Sequence, residues 1–288
     1  MRKGVIDIGS NTVKLLVADV QGTQVMPVVS KDRTTRLGEG VDQTHHLTHT
    51  AIARTVQAIA DFQKEARTLG ATEIIALTTS AARDAENRAE FLQAVHAQCG
   101  LEAQVITGER EAELIFRGVS SDSEWSAQPL LVIDVGGGSA EFIQGKAGQV
   151  ELLQSSPLGA LRLTEKFGED KHTELCRYIR AMLQPMLASY AASGRRVLGT
   201  GGTGTTAARI ACGMADHVVL SYEQLRGLVE RLRAMPLAER KQVPGLPPER
   251  ADIIVAGGAV YLVAMEILRA ETLTLSIRNL RYGAMLAR

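Results

Sequence analysis

The sequence predicts an α/β protein built from two similar domains, and three observations lead there. Short apolar strands alternate with helical stretches along the whole chain. An unusual opening device, Val5-Ile6-Asp7-Ile8-Gly9-Ser10, returns as Val132-Ile133-Asp134-Val135-Gly136-Gly137. The length, 288 residues with 45% apolar side chains, fills two cores more comfortably than one.

In the first half, Gly4–Ile8 and Val13–Val20 read as strands joined by a Gly-Ser-Asn turn, and Gln24–Ser30 as a third strand beyond a Gln21-Gly22 hairpin. Thr48 reads as the N-cap of a helix running to about Leu69, with Ile52, Val56, Ile59 and Phe62 at helical spacing. Strand Glu73–Thr78, helix Asp84–Cys99, strand Ala103–Ile106 and helix Glu109–Arg117 follow. The polar stretch Ser120–Gln128 before Pro129 marks the boundary, giving domains 1–124 and 125–288, with the last helix able to pack back on the first domain.

The second half repeats the opening. Leu130–Val135 and Glu141–Gln144 are strands around a Gly-rich turn, and Gln149–Ser155 is the third. Helices are predicted at Leu161–Phe167, Glu174–Tyr190, Thr203–Cys212, Tyr222–Ala234, Glu249–Arg269 and Leu280–Ala287, with strands at Arg196–Leu198 and Thr272–Leu275.

Composition narrows the function. The 32 basic residues balance the 32 acidic ones, so no global field draws the chain to nucleic acid or to an anionic membrane. A polyanionic substrate has to be met locally, by residues scattered as Lys14, Lys31, Arg33, Arg36, Arg83 and Arg281. Cys99, Cys176 and Cys212 show no metal or redox spacing and read as free thiols of a reducing cytoplasm. No stretch approaches the roughly 20 apolar residues of a membrane span, and Asp7 interrupts the N-terminal apolar run that a signal peptide needs.

The chemistry-bearing residues gather at the turns. Glycine lets a backbone N–H approach an anion closely, so Gly136, Gly137 and Gly138, with Ser139, and the hydroxyl and amide of Ser10 and Asn11, are candidate phosphate ligands. Asp7 and Asp134 stand at strand ends beside these turns. A carboxylate beside a phosphate calls for a cation between them, so Asp7, Asp134 and Glu141 are candidate ligands for Mg²⁺, with Mn²⁺ as a substitute. The stretch Leu198–Thr205 is a third Gly-rich turn, in which Gly201, Gly202 and Thr203 offer a helix N-terminus to an anion; it lacks the lysine of a P-loop. Arg83, after a buried strand, suits a bidentate phosphate clamp. Glu109, Glu111 and Glu113 crowd the start of one helix, where dipole complementarity explains all three equally well. His45, His46 and His49 do not converge on one helix face, so a metal role is not expected of them. Ala256-Gly257-Gly258-Ala259 fits close helix packing as well as ligand approach.

The motifs IDIGSNTVKLLVA, TRLGEGVD, TTSAARDAEN, ITGEREAELIFRGV, VIDVGGGSAEF, GTGGT, LPPERADIIVAGG and LSIRNLRYGAML, in this order, resemble the exopolyphosphatase / guanosine pentaphosphate phosphohydrolase family. That family is related to actin, sugar kinases and the heat-shock ATPases. The resemblance implies two ribonuclease-H-like domains flanking a cleft and, among the three acids, selects Glu111 as the catalytic base. Arg83 matches the family's phosphate-binding arginine, and Asp134, Gly136 and Glu141 its second phosphate and metal motif. Glu113 departs from the arginine common after the motif's alanine and removes a positive charge. The chain looks like the short, two-domain form. The implied substrate is polyphosphate or a guanosine penta- or tetraphosphate, without nucleic acid or membrane, and a homodimer is a further expectation. A sugar-kinase-like phosphotransferase lacks a clear sugar-binding insert here, and a non-catalytic alarmone sensor has no need of Glu111.

Overall fold

A computed structural model describes residues 1–190, 194–213 and 217–287. The chain forms two compact units, the first made of Met1–Asp122 with Arg278–Arg288 and the second of Ser123–Ile277. The chain therefore leaves the first unit after residue 122, where the sequence suggests 124, and the segment from 278 on counts with the first unit rather than the second.

The first unit opens with strands β1 (Arg2–Ile8), β2 (Thr12–Gln21) and β3 (Gln24–Thr34), a short helix α1 (Val41–Thr44), and helix α2 (His49–Thr68). Strand β4 (Glu73–Thr78), helices α3 (Ser80–Asp84) and α4 (Arg88–Cys99), strand β5 (Ala103–Val105) and helix α5 (Gly108–Ser120) follow. The sheet order is β3-β2-β1-β4-β5, with β1–β3 antiparallel and β4 and β5 parallel to β1. Ile6, Ile8, Val13, Leu15 and Val17 alternate toward a core shared with α2 and α4. Side chains of opposite parity, Asp7 and its register partner Lys14 among them, turn to the other face.

The helix expected over Asp84–Cys99 starts only at Arg88, because Asp84 ends α3 and residues 85–87 separate it from α4. The reason is tertiary: the Asn87 amide exchanges hydrogen bonds with the Leu47 backbone at 2.8 and 3.0 Å, and Glu86 N–H donates to His45 O. These contacts hold the intervening residues out of helical conformation.

The second unit repeats the plan. Strands β6 (Pro129–Val135), β7 (Ala140–Lys146) and β8 (Gln149–Ser156) lead to helices α6 (Ala160–Phe167) and α7 (His172–Met186). Strand β9 (Arg196–Thr200), helix α8 (Gly201–Cys212), strand β10 (His217–Ser221), helices α9 (Tyr222–Ala234), α10 (Leu237–Arg240) and α11 (Ile254–Leu268), and strand β11 (Thr272–Ser276) complete it. The sheet order is β10-β11-β9-β6-β7-β8. Read from the third strand inward, β8-β7-β6-β9-β11 has the 3-2-1-4-5 order of the first sheet, with β10 added antiparallel at the edge. The fold is thus α/β with two ribonuclease-H-like units, and the repeat seen in the sequence is a repeat of topology.

Four readings of this half change. β10 has no counterpart in the sequence-based expectation. The helix read over Glu249–Arg269 is a 3₁₀ turn at Pro248–Arg250 followed by α11. α7 gives way one residue after Pro185 to a 3₁₀ turn over Leu187–Ser189. α8 begins at Gly201, so the third Gly-rich segment is the first turn of a helix rather than a loop ahead of one. Helix α11 is buried on nearly every side, and its glycines allow close approach: a Cβ on Gly257 would lie 2.4 Å from Thr203 Oγ1, and one on Gly258 2.5 Å from Val229 Cγ2. The Ala256–Ala259 stretch is helix packing.

The chain ends in helix α12 (Leu280–Leu286), which packs on α5, β1 and β2 of the first unit. Asn279 caps it by accepting from Arg281 N–H, and Arg281 Nη1 donates to Leu15 O at 2.9 Å and Ser30 Oγ at 3.2 Å. Arg281, a candidate for anion binding in the sequence, is a buried anchor of the last helix.

Candidate active site: two matched turns

Each unit builds a tight turn between its first two strands, and the two turns close in the same way. Gly9 N–H donates to Thr12 O at 3.1 Å, and Gly136 N–H to Ser139 O at 3.0 Å. What surrounds each turn then decides where its amides point.

In the second unit the turn's carbonyls are consumed by the start of α6. Gly136 O accepts from Ala160 N–H, Gly137 O from Leu161 and Arg162 N–H, and Gly138 O from Arg162 Nε at 2.9 Å. A trans peptide sends its N–H opposite to its C=O. The amides of Gly137, Gly138 and Ser139 therefore turn away from α6 together, a concavity suited to an anion. Such close approach needs Gly159, whose Cβ would lie 2.3 Å from Gly137 O. In the first unit the loop after β3 plays the part of α6: Asn11 O accepts from Thr35 and Arg36 N–H, and Ser10 O from Gly38 N–H. Arg36 holds a positive φ of 48° to make this contact. Ser10 Oγ shares a hydrogen bond with Ser80 Oγ at 2.8 Å, joining the turn to the start of α3.

The acids follow the same duplication with one difference. Asp134 and Glu141 are directly opposed in the β6–β7 register, so both side chains lie on one face of the sheet, and both are buried. Ser155 Oγ donates to Glu141 Oε1 at 2.9 Å. The equivalent pair in the first unit is Asp7 with Lys14. The second unit alone thus sets two carboxylates beside a Gly-rich turn. Asp134 also lies against α8: a Cβ on Gly201 would fall 2.3 Å from its Oδ1. Gly202 lies against Arg250, whose Nη1 would be 2.3 Å from an added Cβ, while Thr203 turns its hydroxyl toward Gly257 of α11. Arg250, buried beside the first turn of α8, is a candidate site residue that sequence reasoning misses inside the LPPERADIIVAGG motif. Its only sequence signal is an arginine after Pro-Pro ahead of an apolar helix.

The three acids of α5 are separated by their surroundings. Thr107 caps the helix by accepting from Arg110 N–H. Glu109 is exposed; hydrogen bonds from its own backbone N–H and then from Thr107 hold its carboxyl below the ordinary range. Glu113 is exposed and pairs with Arg110 at 2.9 Å. Glu111 is buried on the same helix face as Leu114, Ile115 and Gly118, and its Oε2 meets Arg83 Nη1 at 3.2 Å. Arg83 Nη1 also donates to Ile106 O at 3.0 Å. The first unit therefore brings together Glu111 and Arg83, two residues 28 apart in sequence. Of the other scattered basic residues, Lys31 pairs with Glu65 and Arg33 with Asp61 on the exposed surface.

No three His, Cys, Asp or Glu side chains among the described residues gather closely enough to hold a metal by themselves. His46 bonds Thr44 O through Nδ1 instead. Mg²⁺ takes few protein ligands and completes its shell with water and phosphate oxygens. Each unit offers its own donors to such an ion: the second has two same-face carboxylates, and the first has Asp7 and Asn11 Oδ1, which is buried with no hydrogen-bond partner among the described residues.

The model of the Ppx/GppA phosphatase family matches residues 16–288. The chain belongs to that family. Exopolyphosphatase 1 of Mycobacterium tuberculosis is 35% identical over 301 residues, covering 99% of this chain and 88% of the relative. A crystal structure of an exopolyphosphatase from Cytophaga hutchinsonii superposes with a TM-score of 0.90 at 27% identity, covering 99% and 96% of the two chains. The Aquifex aeolicus Ppx/GppA family member superposes at 0.81 and 29% identity, over 99% and 96%. An ethanolamine utilization protein, EutJ, from Carboxydothermus hydrogenoformans, at 0.52 and 16% identity, shares the fold alone. Family membership makes this chain a hydrolase of the phosphatase class. Among its described residues no helix is long and apolar enough to cross a membrane.

Proposed function

We propose that the chain is an exopolyphosphatase, removing the terminal phosphate of inorganic polyphosphate by attack of a water that Glu111 orients and deprotonates. The observation that carries the reading is the isolation of Glu111: of three acids on one helix turn, it alone is buried and tied to an arginine from another element. The names of the curated relatives favour polyphosphate over guanosine pentaphosphate, which the same groups would serve.

Phosphoryl transfer asks a protein chiefly to position the reactants and offset charge. The amides of Gly137, Gly138 and Ser139, with the first turn of α8 at Gly201, Gly202 and Thr203, receive phosphate oxygens. Ser10 and Asn11 supply donors in the first unit. Arg83 holds Glu111 through Nη1, and its remaining N–H groups are available to a phosphate oxygen. Asp134 and Glu141, with Asp7, would hold Mg²⁺ directly or through water; when bound, the ion neutralises charge building on the phosphoryl oxygens. Glu111 takes the proton of the attacking water, a step its carboxylate performs at hydrogen-bond distance.

The test measures phosphate release from polyphosphate and from guanosine pentaphosphate by the wild type and three variants. Glu111→Gln is expected to lose about 100-fold or more in kcat, the scale of a general base, with substrate binding retained. Glu109→Gln and Glu113→Gln should stay within a few-fold of wild type. Near-normal turnover by Glu111→Gln would place the base elsewhere. Faster turnover of the nucleotide than of polyphosphate would reverse the substrate assignment.

A further inference from the structure

Helices α5 and α12 meet backbone to backbone. A Cβ on Gly283 would lie 1.8 Å from Leu114 O and 3.0 Å from Gly118 N, and one on Gly118 would lie 2.1 Å from Asn279 O and 2.8 Å from Gly283 N. Neither clash ends on a flexible side chain, so a single methyl there has to move a helix. The contact runs along the face of α5 that carries Leu114 and Gly118, and Glu111 is on that face one turn earlier. Two clasps hold α12 to α5, one before its first residue and one at its last. Arg278 Nε meets Asp122 Oδ2 at 3.2 Å and its Nη1 donates to Ser121 Oγ at 2.9 Å, while Arg117 Nη1 donates to Leu286 O at 3.3 Å. On its other side α12 is fastened to the sheet by buried Arg281.

We propose that α12 is a positioning element for Glu111. The sheet fixes α12, the Gly283–Leu114–Gly118 contact fixes the height of α5 above the sheet, and that height sets where the Glu111 carboxylate stands relative to Arg83. Gly283, Gly118 and Arg278 are positioning residues in this scheme. The inference rests on the assignment of Glu111 as the base. Added methyls force a separation of about 1 Å or more at a point one helical turn from the carboxylate, and misplacement on that scale costs on the order of 100-fold in rate.

The experiment compares Gly283→Ala, Gly118→Ala, Arg278→Ala and Arg278→Lys with Glu111→Gln and Ile59→Ala, using polyphosphate with Mg²⁺. Ile59 is fully buried on α2 in the first-unit core, so its truncation destabilises the unit without touching α5 or α12. Gly283→Ala and Gly118→Ala should lose roughly 10- to 100-fold in kcat with KM changed less than about threefold. Arg278→Ala, which adds no bulk and leaves the fold intact, should lose a smaller factor that Arg278→Lys restores. Ile59→Ala should melt earlier yet keep wild-type kcat per folded molecule. Wild-type kcat for the glycine and Arg278→Ala variants, against an inactive Glu111→Gln, would overturn the positioning role and leave the base in place. If the glycine variants do not fold, Arg278→Ala with unaltered kcat overturns it alone. An active Glu111→Gln would instead remove the base on which the inference rests, and with it the inference.

Discussion

Gly201 is where backbone strain, charge and the proposed phosphate site meet, and Gly201→Ala tests all three. Its φ is +80°, a region that costs an L-residue about 1–2 kcal/mol. The added Cβ would also lie 2.3 Å from Asp134 Oδ1 and 2.8 Å from Val135 O, where ordinary contact begins at 3.4 Å. Overpacking of this kind costs about 1–3 kcal/mol, so the variant should lose roughly 2–5 kcal/mol of stability, read as a shift in urea midpoint with unchanged m-value. The carboxylate, being a side chain, yields before the strand does, and it has to retreat by about 1 Å. That displacement should lower kcat by about 100-fold in the molecules that remain folded. Stability and turnover are measured on the same preparation, at a temperature where the variant is folded. A variant that is destabilised as expected but turns over at the wild-type rate would show that Asp134 has no part in the chemistry. A variant with neither effect would refute the geometry of the turn.

Other outcomes follow from single contacts. Arg83→Lys should keep the fold but lose activity clearly, because an ammonium cannot hold Glu111 and a phosphate oxygen with a planar fork; wild-type kinetics would place Arg83 outside the site. Chelation of divalent ions should abolish phosphate release and Mg²⁺ or Mn²⁺ restore it; full activity in chelator would remove the metal from the scheme. Burial, then Arg233, hold His172 below its ordinary pKa, with Glu230 opposing. A depressed histidine stabilises the fold above the unfolded value of about 6.5 and loses that contribution as pH falls below it. His172→Gln should therefore flatten the stability profile between about pH 7 and 5, and an unchanged slope in urea titrations would contradict the burial argument.

The repeated plan is legible in the sequence because its signal is local. An apolar strand, an acid, a glycine and a tight turn are each written in neighbouring residues, and both copies fold as their neighbours dictate. What escapes is decided at a distance. Gly201 and Gly202 read as a turn because glycine usually marks one; they are glycine because Asp134 and Arg250 press against the first turn of a helix. The break between α3 and α4 comes from Leu47, some 40 residues away from Asn87. β10 offers only five residues and draws its register from β11. Among the acids of α5, spacing treats Glu109, Glu111 and Glu113 alike. Burial and Arg83 tell them apart, whereas the family resemblance selects Glu111 through homology rather than through physics.

The first unit is assembled from stretches at opposite ends of the sequence. During translation Met1–Asp122 leaves the ribosome early, but α12 follows only after all of Ser123–Ile277 has been made. Until then Leu114 O and Leu15 O have no Gly283 or Arg281 against them, and the apolar side chains of α5 lie uncovered. The second unit, continuous in sequence, can be complete while the first still waits, the reverse of the usual N-to-C order of domain folding. Released chains truncated after residue 277 should therefore be protease-sensitive in their N-terminal unit and protected in the later one, and adding back residues 278–287 should close the older part of the molecule.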